Sequence, residues 1–309
     1  MEALKRLCCA LATCAARHQT CGMTQKTLLS IGHGYTAQAL ARRLLPDGWR
    51  IIGTTRDPER AQALTSDHVE MHVYPGSDLT PLLAQASHVL SSAGATEEGD
   101  PVVSDIGAQL AEAQHLEWVG YLSTTGVYGD YGGDWVDETT PLSPSTKRGQ
   151  MRLAAEQDWS GIPGLPVHIF RLAGIYGPGR GPFAKVRNGT ARRIIKAGQV
   201  FSRIHVEDIA QVLAASIAKP NPGQAYNVCD DDPAPPQDVL AYAAELLDMP
   251  PPPETAFETA DLSPMARSFY AENKRVRNDR IKDELGVELL YPDYRAGLRA
   301  LLALETSAP

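Results

Sequence analysis

The sequence predicts an α/β fold, a doubly wound parallel sheet with helices on both faces, followed by a smaller C-terminal lobe. Three observations predict it. From Lys26 onward, short β-rich runs alternate with helical patterns, the signature of parallel strands joined by crossover helices. A glycine-containing turn joins the first such run to the first helical pattern. The proline clusters DDPAPP and MPPPPE then break up the C-terminal part, as expected for loops around short elements.

The elements follow in order. TLLSIG is the first strand, and YTAQALARRLL keeps apolar residues at helical spacing until Pro46-Asp47-Gly48 breaks it. WRIIGTT is the second strand. In Asp57-Pro58-Glu59 an N-cap, a first-turn proline and an acid at the positive helix end open the next helix. HVEMHVY, SHVLSSA and LEWVGYLS read as three more strands and VHIFRLA as a sixth; HVEDIAQVLAASIA is a helix, and AYNVCD a late strand. The expected division is a nucleotide-binding domain over 24–171, revisited by about 204–229, and a smaller lobe from 172–203 and 230–309. No internal repeat of solenoid length is present.

Bulk properties narrow the function. The chain has 309 residues, 43% of them hydrophobic, and a formal net charge of −8. The first 22 residues hold three basic side chains (Lys5, Arg6, Arg17) and one acid (Glu2), so the rest carries −10. Such a body has no overall field for nucleic acid or an anionic membrane, and no apolar run approaches the roughly 18–20 residues of a membrane span. Four of five cysteines lie in the leader, leaving only Cys229 in the body; this excludes an internal disulfide there and, with no zinc spacing, points to the cytoplasm and to no metal. Residues 1–23 are read as a non-native or disordered extension, a weak signal or transit peptide being the alternative.

Gly32-His33-Gly34-Tyr35-Thr36-Ala37 is a G-x-G-x-x-A between strand and helix. The first glycine permits the turn, the second lets backbone approach a pyrophosphate, and alanine allows close packing, with the helix N-terminus supplying positive potential. Gly32, Gly34, Tyr35 and Thr36 are therefore the expected phosphate cradle, with His33 a loop residue near the phosphates. The second strand closes on Gly53-Thr54-Thr55-Arg56, where an acid would select NAD. Arg56 pairs with a 2′-phosphate and Thr55 donates a hydrogen bond, so NADP is expected over NAD. Ser92 and Ala93, closing the fourth strand, complete the expected cofactor set.

These motifs, with LSTTGVYGD, RLAGIYGPGR, RIHVEDIA, AYNVCDDDP and the terminal KRVRNDRIKDELGVELLYPDYRAGLRALL, resemble the extended short-chain dehydrogenase/reductase family, which includes the NAD-dependent epimerase/dehydratases. The resemblance runs in order from about Thr27 to Leu302. It implies a Rossmann-type lobe, a C-terminal substrate lobe and a site between them. The family's serine or threonine falls on Thr124. The Asp-Glu pair of its dehydratases falls on Thr125 and Gly126, which removes the acid and base of water elimination. The family's tyrosine and lysine stand four apart, with a glutamate four residues beyond. In SPSTKRGQMRLAAE, anchoring on Glu156 puts Arg152 in the lysine position and Arg148 in the tyrosine position. Arginine keeps the charge that binds a nicotinamide ribose but cannot serve as a tyrosinate base. The substrate asparagine of R-x-x-N-x-Y-G-P is Gly174, which argues against a nucleotide sugar. The pattern resembles the family's atypical branch, with an incomplete catalytic tetrad.

The expected catalytic set is Thr124, Arg148, Arg152 and, as a nearby phenol, Tyr128, although Tyr128 and Tyr176 in their V-Y-G and I-Y-G turns also read as packed structural rings. Tyr131 sits on a glycine-rich loop expected over the cleft, where a contact role is open. Arg192, Arg193 and Arg203 form a basic run that suits an anionic small-molecule substrate or a solvated surface. His205 reads as a helix cap, and Asp130 and Asp134 as turn residues. The expectation is an NADP-dependent oxidoreductase or epimerase-like enzyme acting on a carbonyl or hydroxyl group. The rivals are a noncatalytic NADP(H)-binding sensor and an interaction scaffold.

Overall fold

The computed structural model describes residues 25–307; the expectation for the leader lies outside them. Seven strands build one sheet: β1 (Thr27–Ile31), β2 (Arg50–Thr55), β3 (Val69–Val73), β4 (His88–Ser91), β5 (Trp118–Thr124), β6 (Val167–Leu172) and β7 (Ala225–Val228). Their order is β7-β6-β5-β4-β1-β2-β3 and every neighbouring pair is parallel. The doubly wound Rossmann-type sheet expected from the sequence is present. β1, β4 and β6 are buried along their whole length, as strands covered on both faces are.

Two cores flank the sheet. On one face α1 (Tyr35–Leu44) supplies Leu40 and Leu44, and α5 (Val206–Ala218) supplies Ile209 and Leu213, against Leu28, Leu90 and Trp118. On the other, Ile106 and Leu110 of α3 (Pro101–Glu112) and Ala155 and Trp159 of α4 (Lys147–Ser160) pack on Leu29, Val89 and Tyr121. Successive strand residues thus face opposite layers. The short α2 (Pro58–Leu64) begins as expected: Asp57 Oδ1 accepts from Glu59 N at 2.9 Å and Arg60 N at 3.2 Å, a cap worth about 1 kcal/mol. His205 caps α5, its Nδ1 accepting from Glu207 N at 3.2 Å.

A third core, of Tyr176, Phe183, Val186, Tyr294, Leu298 and Leu301, joins α6 (Pro236–Leu246) to the C-terminal α8 (Tyr294–Ser307). A smaller helix, α7 (Pro264–Phe269), lies among the loops before it. Two-stranded parallel pairs, Gly174–Tyr176 with Arg203–His205 and Trp135–Val136 with Arg275–Val276, tie these later segments to the loops that leave the sheet. Among the described residues no helix is long and apolar enough to cross a membrane.

Candidate active site

A cleft of about 1080 Å³ opens beyond the C-terminal ends of β1, β4, β5 and β6, where the strand order reverses and parallel sheets bind ligands. Its floor is the glycine loop. Gly32 has φ +80°, and a Cβ there would lie 3.3 Å from Ser92 C and 3.4 Å from Ala93 N, so the loop rests against the residues that follow β4. Gly34 caps α1 without a side chain, and the first turn carries no acid. The open N–H groups and helix dipole suit a phosphate. Ser92 Oγ is buried without a partner among the described residues. A backbone cradle and an orphaned hydroxyl fit a pyrophosphate-bearing dinucleotide.

The other expected cofactor residues are placed unevenly. Tyr35 and Thr36 line the cleft, and Tyr35 Oη donates to Pro178 O at 2.9 Å with Arg180 4.3 Å above its ring. Ala93 presents its carbonyl to Arg152 at 3.0 Å. Arg56 is exposed at the end of β2, and Thr55 Oγ1 accepts weakly from Asp57 N at 3.4 Å; neither is part of the cleft wall. His33 is buried. It is 3% exposed, with Nδ1 3.0 Å from Ser30 Oγ, and burial lowers its pKa to about 4. It packs under the loop beside Gly53.

Thr124 ends β5 at the cleft, and its Oγ1 accepts from Gly126 N at 3.2 Å, capping the turn Thr125–Tyr128. That bond leaves the hydroxyl hydrogen available to a ligand. α4 is seated directly on this turn: a Cβ on Gly149 would lie 2.7 Å from Gly126 O. Thr146 caps α4 by accepting from Gly149 N at 3.2 Å. Arg148 and Arg152, one turn apart, both reach the cleft. Arg152 Nη1 donates to Ala93 O, to Tyr121 Oη at 2.8 Å and to Leu122 O at 3.3 Å. Arg148 is exposed, its guanidinium 5.9 Å from the Phe269 ring.

Tyr128 is not a cleft residue. It is 0% exposed, its Oη donates to Asn227 Oδ1 at 2.8 Å and accepts from Arg171 Nη1 at 3.0 Å, and burial pushes the phenol up to about 12. Arg171 also binds Glu156 through Nη2 at 2.9 Å, and Ser123 Oγ donates to the same carboxylate. This network locks β5, α4, β6 and β7 together behind the cleft. The catalytic role expected of Tyr128 is therefore withdrawn, because its hydroxyl is committed inside the core. Tyr131 likewise donates to Pro141 O at 2.7 Å outside the cleft wall, and Asp130 accepts from Gly132 N and Asn273 N to hold a turn. Of the basic run, Arg192 binds nearby carbonyls and Arg193 pairs with Glu254 at 3.2 Å; only Arg203 of these three lines the cleft.

Several cleft residues escaped sequence reasoning. Arg180 follows the Y-G-P-G turn, Lys274 comes from the segment after α7, and Met265, Phe269 and Tyr270 belong to α7 or its end. Only the glycine-flanked Arg180 carried a local signal. Lys274 Nζ is committed, donating to Gly129 O at 2.6 Å and Glu272 Oε2 at 2.8 Å. Among the described residues, five cations (Arg148, Arg152, Arg180, Arg203, Lys274) face one acid, Glu272, so the cleft is positive inside an acidic protein. Burial raises the pKa of the three cleft phenols among the described residues, Tyr35, Tyr176 and Tyr270, which keeps them protonated.

Comparison with known proteins agrees with this architecture. The model of the NAD dependent epimerase/dehydratase family matches residues 31–229. Protein YeeZ of Escherichia coli K12 is 31% identical over 283 residues, covering 87% of this chain and 97% of that protein. A functionally unknown conserved protein from Silicibacter pomeroyi DSS superposes with a TM-score of 0.88 at 62% identity, over 90% of this chain and 99% of that one. The dTDP-glucose 4,6-dehydratase of Bacillus anthracis Ames, solved with NAD, has a TM-score of 0.72 at 18% identity over 91% and 97% of the chains, a likeness of fold.

Proposed function

The chain belongs to the NAD dependent epimerase/dehydratase family, and from that membership we propose that it is an NADP-dependent oxidoreductase or epimerase-like enzyme acting on the carbonyl or carbinol carbon of a small molecule. One observation carries the reading: a single continuous cleft joins the glycine loop and the uncapped N-terminus of α1 to Thr124, Arg148 and Arg152. Gly32, Gly34, Tyr35, Thr36 and Ser92 would hold the dinucleotide, which when bound supplies or accepts a hydride. Thr124, whose oxygen already accepts from Gly126 N, donates its hydroxyl hydrogen to the substrate oxygen. Arg152, fixed by three oxygen acceptors, supports the nicotinamide ribose in place of the family's lysine. Arg148 stabilises negative charge developing on the substrate. The proton comes from a neutral phenol of the cleft or from water, since arginine cannot act as a base.

Two arginines in the tyrosine and lysine positions, together with the sequestered Tyr128, favour a second reading, a noncatalytic NADP(H)-binding sensor. Calorimetric titration with NADPH and NADH, followed by a screen for NADPH oxidation across carbonyl compounds, separates the two. The enzyme reading expects tighter NADPH binding and turnover of at least one carbonyl compound. Arg56→Ala is expected to weaken NADPH by about 1.5–3 kcal/mol, roughly 10- to 150-fold, the loss of a charge-assisted phosphate contact. Equal affinity of the wild type for both cofactors would remove Arg56 from the site. Tight NADPH binding without any consumption would favour the sensor.

A further inference from the structure

Beyond Thr124 the cleft continues into the C-terminal lobe, where Phe201, Arg203, Phe269 and Tyr270 form its wall. Arg203 starts a short strand beside Gly174–Tyr176, in register with Gly174. Its Nη1 donates to Phe201 O at 2.7 Å and Ala234 O at 3.0 Å. Nε and Nη2 take no acceptor among the described residues, so one edge of the guanidinium is unpaired. No carboxylate forms an ion pair with it among those residues.

The acid beside it is Asp230, which is 1% exposed, both carboxylate oxygens without a partner among the described residues. Burial is the largest influence on this group and drives its pKa to about 8, against the pull of Arg203. A guanidinium does not shed its proton, and a buried charge without a partner is costly. Arg203 thus stands at the cleft wall as a cation with one unpaired edge and, among the described residues, no ion pair. Lys274 differs, being paired with Glu272. Around Arg203 the wall is apolar: Phe201 and Tyr270 meet edge to face at 5.3 Å, and Phe269 and Met265 are exposed toward the same space.

We propose that the substrate carries a carboxylate, seated on the free edge of Arg203, and an apolar body packed between Phe201, Tyr270 and α7. The two parallel N–H groups of that edge match a carboxylate bidentately. The assignment deepens the oxidoreductase reading, on which it rests for the position of the reacting carbon. It names the class as an oxo acid or hydroxy acid with an apolar side chain.

Calorimetric titration of the full chain with phenylpyruvate, its methyl ester and phenyl phosphate, with and without NADPH, tests the proposal. The acid is expected to bind about tenfold or more tightly than the ester, which lacks the charge. Arg203→Gln is expected to abolish that preference while leaving NADPH affinity unchanged. Equal binding of acid and ester, no binding of the acid, or an undiminished preference in Arg203→Gln would overturn the assignment. Stronger binding of phenyl phosphate than of the acid would overturn the choice of a carboxylate. The acid–ester comparison on the wild type needs no variant, so a misfolded Arg203→Gln cannot shelter the proposal. Failure of NADPH to bind would sink the enzyme reading while the cofactor-free comparison still judges the carboxylate site.

Discussion

Gly149→Ala probes whether α4 is seated where it can deliver its two arginines. In an ordinary helix the exchange stabilises by about 1 kcal/mol, since alanine loses less backbone entropy than glycine. Here the new methyl would lie 2.7 Å from Gly126 O, 2.8 Å from Pro144 Cβ and 3.2 Å from Thr146 Oγ1. Carbon contacts are comfortable near 3.5–4.0 Å, and the nearest obstacle is backbone that cannot rotate aside. Overpacking of this kind costs about 1–3 kcal/mol, so the net result is a loss of about 1 kcal/mol, with 2 as the upper end. For a domain of this size that lowers Tm by about 2–4 °C per kcal/mol. Relief must come from α4 lifting off the turn, which pulls Arg152 from Ala93 O and Tyr121 Oη. NADPH affinity should therefore fall together with Tm. Differential scanning calorimetry and cofactor titration of the same preparation read both. A rise in Tm with unchanged NADPH affinity would show that α4 does not rest on the Thr124 turn.

Glu156→Gln leaves the Arg171 guanidinium buried without its carboxylate, and denaturant unfolding is expected to show a loss of about 3–5 kcal/mol; a loss below about 1 kcal/mol would contradict the network. Thr124→Ala is expected to cut turnover on a validated substrate roughly 10²-fold, the scale of losing one positioned donor, with NADPH affinity intact; unchanged turnover removes Thr124 from catalysis. Burial pushes the Asp230 carboxyl up to about 8 in the folded chain, against the ordinary carboxylate value of about 3.9 when unfolded. The folded state therefore holds an extra proton between these values, and stability falls as pH rises from about 4 to about 8, by at most about 1.4 kcal/mol per unit. Asp230→Asn is expected to flatten that decline in urea titrations across the range; parallel curves for variant and wild type would refute it.

What was legible in the sequence, and what was not, follows from the range of the contacts involved. The seven strands showed themselves because each is a short, β-rich run bounded by turn or helix signals, a pattern that is local in the sequence. The glycine loop and the Arg148–Arg152 spacing were legible for the same reason, a turn and a helix being defined within a few residues. Tyr128 misled because its surroundings are remote: Arg171 and Asn227, 43 and 99 residues away, claim its hydroxyl. Arg192, Arg193 and Arg203 were indistinguishable as a basic run until the pairing of Arg203 with Gly174 set one of them on the cleft. The wall formed by α7 had no motif at all. The parts that fix chemistry are thus local, whereas the parts that choose a substrate assemble only in the folded chain. The same distinction bears on the arginine pair. Gly149 and the Glu156–Arg171 network set the position of α4 whatever residues it presents, and nothing in that support requires a tyrosine or lysine at 148 and 152. In the function proposed above, a helix held this firmly offers the cleft a rigid cationic wall in place of a proton-transferring base. Such a wall can polarise an oxygen and bind an anion, and it leaves proton delivery to another group.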